Sequence, residues 1–372
     1  MARKIARDRI KEGWRALSRP PARTLSRRVG RALLKPWWVV VDITDRCMLR
    51  CPTCAKWQTG LHTGELSKDE WKWVIASLQA WLGQYHLSFT GGEPLLREDL
   101  PELISFAHSL GLSTNLMTNG HLIDEATARD LAAAGLSTVS LSLNGLTPAI
   151  HDRSRGETGS HSKVTAALQH FLQMPSHPLI SLSVVATGEN LSELPALLSW
   201  ASEMGIDGVG LQPLLAKGAF QAHGGKLMDY DGLQVIGSAL WPGDAAEIDR
   251  VFQELVSLKR QAYPLLNSET HLAAMKDYFC NPTAKPAFSC PSGLDNLLLD
   301  PYGRARICNL LEPLGDVRQT QPASLWKSAQ VKAQRHAIAH CTLPCRLLAC
   351  NSETSSTEYM RAVFRRMKRV VT

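Results

Sequence analysis

Residues 37–54 read WWVVVDITDRCMLRCPTC, an apolar, β-branched run that leads straight into three cysteines, Cys47, Cys51 and Cys54. A run with so few polar interruptions fits a strand buried on both faces, as in a parallel sheet. The loop behind it has the spacing Cys-x3-Cys-x2-Cys, which puts three thiolates on one short segment. Such a set holds a four-iron cluster with one iron left open to an outside ligand. The triplet alone also fits part of a zinc knuckle or a redox thiol pair, but structural zinc needs four ligands and no local fourth is placed for it.

Downstream, strand-like and helix-like stretches alternate. Ser67 caps an expected helix to Leu82, with Asp69 and Glu70 in its first turn. Further helices are expected over 100–110, 123–134, 163–173 and 191–204, and strands over 85–90, 113–118, 138–144, 179–186 and 208–212. With the first run this gives six strands. The alternation requires a parallel sheet with right-handed crossovers and helices over its outer face. In barrel-like sheets of this kind the chemistry sits at the C-terminal ends of the strands. Those ends carry the notable segments: the cysteine loop, Gly91-Gly92-Glu93-Pro94, Thr118-Asn119-Gly120 and Ser142-Leu143-Asn144-Gly145.

Glu93 follows two glycines at a strand end, where its carboxylate is placed to receive a cationic amine and the missing Cβ atoms allow close approach. Ser142 and Asn144 alternate on one strand and so share a face, either toward the barrel mouth or as core polar groups satisfied by backbone. Asn119 before Gly120 reads equally well as a turn residue. In His151-Asp152-Arg153-Ser154-Arg155-Gly156, Arg155 is either a bidentate carboxylate ligand or a loop-fixing ion pair. Near the C-terminus, Cys290-x12-Gly303-x4-Cys308 encloses an expected β-hairpin over Leu297–Ile307, followed by Cys341-x3-Cys345-x4-Cys350. Four thiolates there bind iron or zinc equally well by spacing alone.

The cysteine triplet together with Gly91-Gly92-Glu93-Pro94 resembles the radical SAM superfamily. The resemblance implies a partial (β/α)6 TIM-like barrel over residues 37–215, an α/β fold with a small C-terminal Cys-rich domain. It implies a [4Fe-4S] cluster on Cys47, Cys51 and Cys54 whose open iron chelates S-adenosylmethionine, with reductive cleavage to a 5′-deoxyadenosyl radical that abstracts hydrogen from a substrate. It assigns the S-adenosylmethionine contacts to Gly91, Gly92, Glu93, Ser142, Asn144 and Arg155. Thr53 stands where relatives often have an aromatic residue, and Trp57 is the nearest replacement. The later cysteines resemble the SPASM/twitch module, which implies an auxiliary [4Fe-4S] cluster on Cys290, Cys308, Cys341 and Cys345, with Cys350 able to replace one of them. Cys280 is unassigned. A flavodoxin or ferredoxin-type electron donor is implied.

Within that family the expected reaction is maturation of a peptide or protein. The alternative is radical oxidation or rearrangement of a small metabolite, cofactor precursor or lipid. A third reading, from another class, is a metal-stapled protein that binds nucleic acid through its basic ends. It is disfavoured because residues 1–36 hold only Trp14 as an aromatic among their basic residues before Pro36.

The net charge of +7 is unevenly placed, with twelve Lys and Arg against two acids in residues 1–36 and five against two in residues 353–372. The middle of the chain is therefore mildly acidic. Both ends keep helical apolar spacing and fit docking on an anionic membrane, on a partner, or on the open edge of the main domain. The expected organisation is a basic N-terminal helical extension (1–36), the radical SAM core (37–215), a bridging segment with a helix from Ala245 (216–277), the SPASM/twitch-like domain (278–351) and a basic C-terminal helix (352–372). No apolar run reaches a membrane span and no secretory signal is evident, so the expected location is cytoplasmic, with peripheral membrane contact open. Nine cysteines at short spacings fit metal ligation in a reducing compartment.

Overall fold

The structure, a computed structural model, describes residues 22–23, 25–26, 32–54, 56–58, 63–215, 238–283, 290–341 and 343–348. The two expected basic terminal helices, the first part of the bridging segment and Cys350 lie outside the described residues.

Six parallel strands form the core: β1 (Trp38–Thr44), β2 (His86–Gly91), β3 (Ser113–Thr118), β4 (Thr138–Ser142), β5 (Leu179–Ala186) and β6 (Gly208–Pro213). They lie side by side in chain order and are joined by helices α1 (Lys68–Leu82), α2 (Leu100–Ser109), α3 (Glu125–Ala133), α4 (Pro148–Arg155), α5 (Ser160–Leu172) and α6 (Leu194–Glu203). This is the parallel sheet with crossover helices that the alternation predicts, in the partial-barrel form the resemblance implies. Along β1 the pleat sends Val39, Val41 and Ile43, all 0% exposed, against the helices. The other face, with Trp38, Val40 and Asp42, is only half-buried. By register that face continues through Ser88, Asn115, Ser140 and Ser181. The interior wall is thus polar, and it is tied laterally: Ser140 donates to Asn115 Oδ1 at 2.9 Å, and its Oγ lies 2.7 Å from that of Ser181.

Local signals place the elements. Ser67 caps α1 in a reciprocal box with Glu70, as its sequence predicts. The edge of β6 is covered by the segment around Leu265, whose backbone pairs with Val209, while the Asn267 amide bonds both backbone groups of Leu211. After it α7 (Ala245–Arg260) and α8 (Glu269–Cys280) pack together.

The predicted hairpin forms as β7 (Asn296–Leu299) and β8 (Arg304–Arg306), with a short β9 (Gly315–Asp316) beyond it. It does not stand apart. β7 pairs in parallel with β1, so one nine-stranded sheet, β6-β5-β4-β3-β2-β1-β7-β8-β9, runs through the molecule.

Two local expectations change. The His151–Gly156 motif is helical, occupying the second half of α4 and its C-cap, where a loop is expected from its polarity. Pro at the start of α4 and Gly156 at φ +66° supply the start and stop signals. β4 ends at Ser142, so Asn144 lies past the strand and does not share its pleat.

Candidate functional site

The cysteine loop leaves the end of β1 with an alternating pattern: Leu49 and Cys51 are buried, while Arg46, Met48, Arg50 and Pro52 are exposed. Trp57 donates its indole N–H to the Cys51 carbonyl at 3.1 Å, and Arg50 lies 5.3 Å from its ring centroid. This ring fastens the loop.

Neighbouring strand ends clamp that loop by backbone approach. The N–H groups of Gly92 and Glu93 donate to the carbonyls of Thr44 and Arg46, both at 2.8 Å. A Cβ on Gly91 would lie 2.3 Å from Thr44 O, and one on Gly92 only 2.1 Å from Arg46 O. What approaches the Cβ positions of these glycines is the backbone at the end of β1 and the start of the cysteine loop. From the other side, a Cβ on Gly156 would come within 2.7 Å of Arg50 O.

Glu93 is 1% exposed, and its carboxylate is largely committed. It accepts from Thr118 Oγ1 at 2.7 Å, Asn119 N at 2.9 Å and Leu95 N at 3.1 Å. Burial pushes its pKa up against the lowering effect of these donors and of Arg155. The side chain therefore joins the ends of β2 and β3. Asn144 is similarly occupied: Oδ1 accepts from Val185 N at 3.0 Å and Nδ2 donates to Ser154 Oγ at 3.1 Å. It links three elements, the competing reading of its polarity. Ser142, half-buried opposite Ser183, has no side-chain partner among the described residues. Asn119 is a turn residue, with Oδ1 accepting from His121 N at 2.9 Å.

Arg155, at the end of α4, differs from its neighbours. It makes no hydrogen bond or ion pair among the described residues, and its Nε is buried without a partner. Its charge opposes the upward shift that burial gives both Cys54 and Glu93, so the guanidinium is within electrostatic reach of the cysteine loop and the end of β2. His151, one turn earlier, is 0% exposed and accepts from Asn144 N at 3.0 Å through Nδ1. Burial lowers its pKa to about 3, so it is neutral, with its proton on a buried and unpartnered Nε2.

Sequence reasoning does not single out Lys56. Its ammonium bridges Asp42 at 2.5 Å and Asp45 at 2.9 Å. Burial alone would lower its pKa, but the two carboxylates outweigh that and raise it. The alternation along β1 places Asp42 on the inner face, which is the one sequence signal for this network.

Among the described residues no group of three or more His, Cys, Asp or Glu side chains is arranged to hold a metal ion as it stands. The fit of the cysteines to a cluster rests instead on the turns they occupy. The N–H of Leu49 points at Cys47 sulfur and that of Lys56 at Cys54 sulfur. The same turn recurs downstream, with Leu310 N 3.4 Å from Cys308 Sγ and Leu343 N 3.5 Å from Cys341 Sγ. Amides donated to sulfur stabilise thiolate and cluster charge and tune cluster potential. Burial raises the Cys47 and Cys308 thiols to about 11, so the protein alone holds them protonated and iron would displace the proton. Cys290 and Cys341 lie within electrostatic reach of Cys308. Cys345, half-buried, packs against the core, while Cys280 is exposed at the end of α8.

Residues 41–201 match the radical SAM superfamily. The match covers a little under half of the chain and is to a radical SAM domain; enzymes of that superfamily use a [4Fe-4S] cluster and S-adenosylmethionine. The chain is 35% identical over 175 residues to a PqqA peptide cyclase from Bradyrhizobium diazoefficiens, spanning 46% of this chain and 45% of that protein. It thus matches a little under half the length of this curated relative. Against a PqqA peptide cyclase from Granulibacter bethesdensis it is 28% identical over 319 residues, 84% of this chain and 79% of that protein. In fold it resembles Streptococcus suis SuiB, solved with its precursor peptide SuiA, at a TM-score of 0.63 and 15% identity over 84% of this chain and 69% of that one.

Proposed function

We propose that the chain is a radical SAM enzyme that modifies a peptide or protein substrate. The observation that carries the reading is Arg155: a half-buried cation whose Nε is buried and which has no hydrogen-bond or ion-pair partner among the described residues, within electrostatic reach of the clamped three-cysteine loop. When bound, a four-iron cluster on Cys47, Cys51 and Cys54 would supply the electron that cleaves S-adenosylmethionine to a 5′-deoxyadenosyl radical. The chain's own residues do the rest. Gly91, Gly92 and Gly156 seat the loop, Glu93 and Asn144 lock the strand ends around it, and Arg155 offers a guanidinium fork to the methionyl carboxylate. Ser142 has a free hydroxyl on the inner face for the same ligand. The polar interior wall and the half-buried mouth would hold the substrate group away from bulk water.

Peptide over small metabolite is favoured by the relatives, a PqqA peptide cyclase and the peptide-bound SuiB. We assign an auxiliary [4Fe-4S] cluster to Cys290, Cys308, Cys341 and Cys345 on the strength of the grouping around Cys308 and the amide turns. Among the described residues no helix is long and apolar enough to cross a membrane. The basic composition of the termini supports peripheral contact with an anionic surface, which vesicle co-sedimentation tests.

Iron and sulfide analysis after anaerobic reconstitution, with 5′-deoxyadenosine measured under dithionite, tests the core of the proposal. Replacement of Cys47, Cys51 and Cys54 by Ala is expected to abolish S-adenosylmethionine cleavage. Persistent cleavage, or a protein that takes up zinc and no iron, would overturn it.

A further inference from the structure

Residues 64–66 stand between the cysteine loop and the C-terminal hairpin and are bonded to both. On the hairpin side, Leu66 N donates at 2.7 Å to Pro301 O, in the turn between β7 and β8. Arg318, just past β9, donates to Gly64 O at 2.9 Å and to Tyr302 O at 2.7 Å, and its Nε reaches Glu70 Oε1 at 2.8 Å in the first turn of α1. A third anchor is the buried Arg97, whose guanidinium donates to Leu66 O at 2.8 Å. On the other side, Glu65 turns its carboxylate toward the root of the cysteine loop. Its Oε1 accepts from Thr44 Oγ1 at 2.8 Å and from Asp45 N at 2.9 Å. Thr44 Oγ1 in turn accepts from Arg46 N at 3.1 Å. These bonds fix the same turn whose carbonyls, Thr44 O and Arg46 O, receive the Gly92 and Glu93 amides.

We propose that Glu65 is a positioning residue for the three-cysteine loop, held in place by the C-terminal hairpin through Arg318 and Pro301. The inference rests on the cluster reading above. Glu65 acts through the backbone from Thr44 to Arg46, which runs directly into Cys47. Its neighbours are tied through main-chain groups, Gly64 O on one flank and both N and O of Leu66 on the other, so the carboxylate is delivered to one place. A support of this kind sets where ligand-bearing backbone sits, as the hydrogen bonds around a metal site orient its ligands. Tyr302 lies within electrostatic reach of both Asp45 and Glu65, which puts the hairpin turn beside the same root. The C-terminal module thereby helps to seat the S-adenosylmethionine site independently of its own cysteines.

The test uses the full chain reconstituted with iron and sulfide. Hydrogen exchange over residues 41–54 is read by mass spectrometry, and the reduced cluster by its EPR signature. Glu65→Ala is expected to speed exchange at the Asp45 and Arg46 amides by up to about tenfold, the scale of one lost hydrogen bond, and to alter the EPR signature. Glu65→Gln keeps an acceptor oxygen and should restore both. Arg318→Met, far from these cysteines in the chain, should speed exchange in the same residues. The double variant Glu65→Ala with Arg318→Met should go no further than the stronger single one, because both act along one path. Should Arg318→Met fail to fold, Arg318→Lys, which can still pair with Glu70 but loses the guanidinium fork, decides the point by the same readings. Faster exchange confined to residues 64–70 and the hairpin, with residues 41–54 and the EPR signature at the parent level, would overturn the proposal. Multiplying effects in the double variant would do the same. An unmodified chain that takes up no iron would instead sink the cluster reading, while the exchange measurement would still test the tie, so the two failures are distinguishable.

Discussion

Gly156 faces the carbonyl oxygen of Arg50 so closely that a Cβ would stand 2.7 Å from it, with the glycine already at φ +66°. The end of α4 and the middle of the cysteine loop thus meet backbone to backbone. Gly156→Ala combines a left-handed conformation with a clash against main chain, a strain of roughly 1–3 kcal/mol. The expected outcome is a lower unfolding midpoint and poorer iron retention per chain, read by thermal denaturation and iron analysis. A variant with unchanged iron content and midpoint would show that the contact is dispensable.

Arg155→Ala removes a cation that has no hydrogen-bond or ion-pair partner among the described residues, so the fold should keep its stability. Affinity for S-adenosylmethionine should fall about tenfold to a hundredfold, the scale of one charge-assisted interaction. Calorimetry on the iron-loaded protein measures it, and Arg155→Lys should recover part of the loss. Equal affinities in all three proteins would assign the carboxylate to other groups.

Lys56→Met strips the counter-charge from Asp42 and from Asp45, whose side chain is 2% exposed. Leaving a buried acceptor unmatched costs about 1–3 kcal/mol. Because the ammonium also lowers the Cys54 pKa, its removal should make the reduced cluster harder to form. The midpoint potential should shift negative in an EPR-monitored redox titration, and Lys56→Arg should restore it. A positive shift would contradict this role.

His151 gives a pH dependence with a definite sign. Its folded-state pKa is depressed from 6.5 to about 3, chiefly by burial, with Arg155 and His161 acting in the same direction and Asp152 against it. Stability from keeping it neutral is full above the unfolded value and is lost as pH falls through the window from 6.5 to about 3. His151→Asn keeps an acceptor for Asn144 N and should flatten part of that decline. Only part is expected, because burial also lowers the pKa of His86 and His271. Denaturant midpoints across this window measure the difference, and parallel curves for parent and variant would refute it.

The barrel strands were legible because their apolar, β-branched runs leave a simple mark at Trp38–Thr44 and Leu179–Ala186, although only one face of each is fully buried. Cysteine spacing likewise marked the centre of the site. The roles of polar residues were harder to read. Nothing local in Gly91-Gly92-Glu93 says whether the approaching group is ligand or backbone; that depends on how Thr44 and Arg46 fold back from the next strand. Glu93 and Asn144 look like ligands in sequence because short polar residues at strand ends are what both ligands and locks look like. Lys56 was invisible for a related reason: its partners lie on β1 and just after it, 14 and 11 residues earlier. The helix at Pro148–Arg155 was masked by its charge, since its apolar face is little more than Ile150 and the buried ring of His151.

The parallel pairing of β7 with β1 bears on how this protein can be dissected. A chain cut before residue 296 would strip the outer neighbour from β1 and leave Val39, Val40 and Val41 on an open, unguarded rim. Such a flat valine-rich rim is a template for strands from other molecules. The cysteines beyond residue 296 therefore cannot be removed by truncation without turning a paired strand into a seed for self-association, and their contribution has to be probed by point substitution in the intact chain.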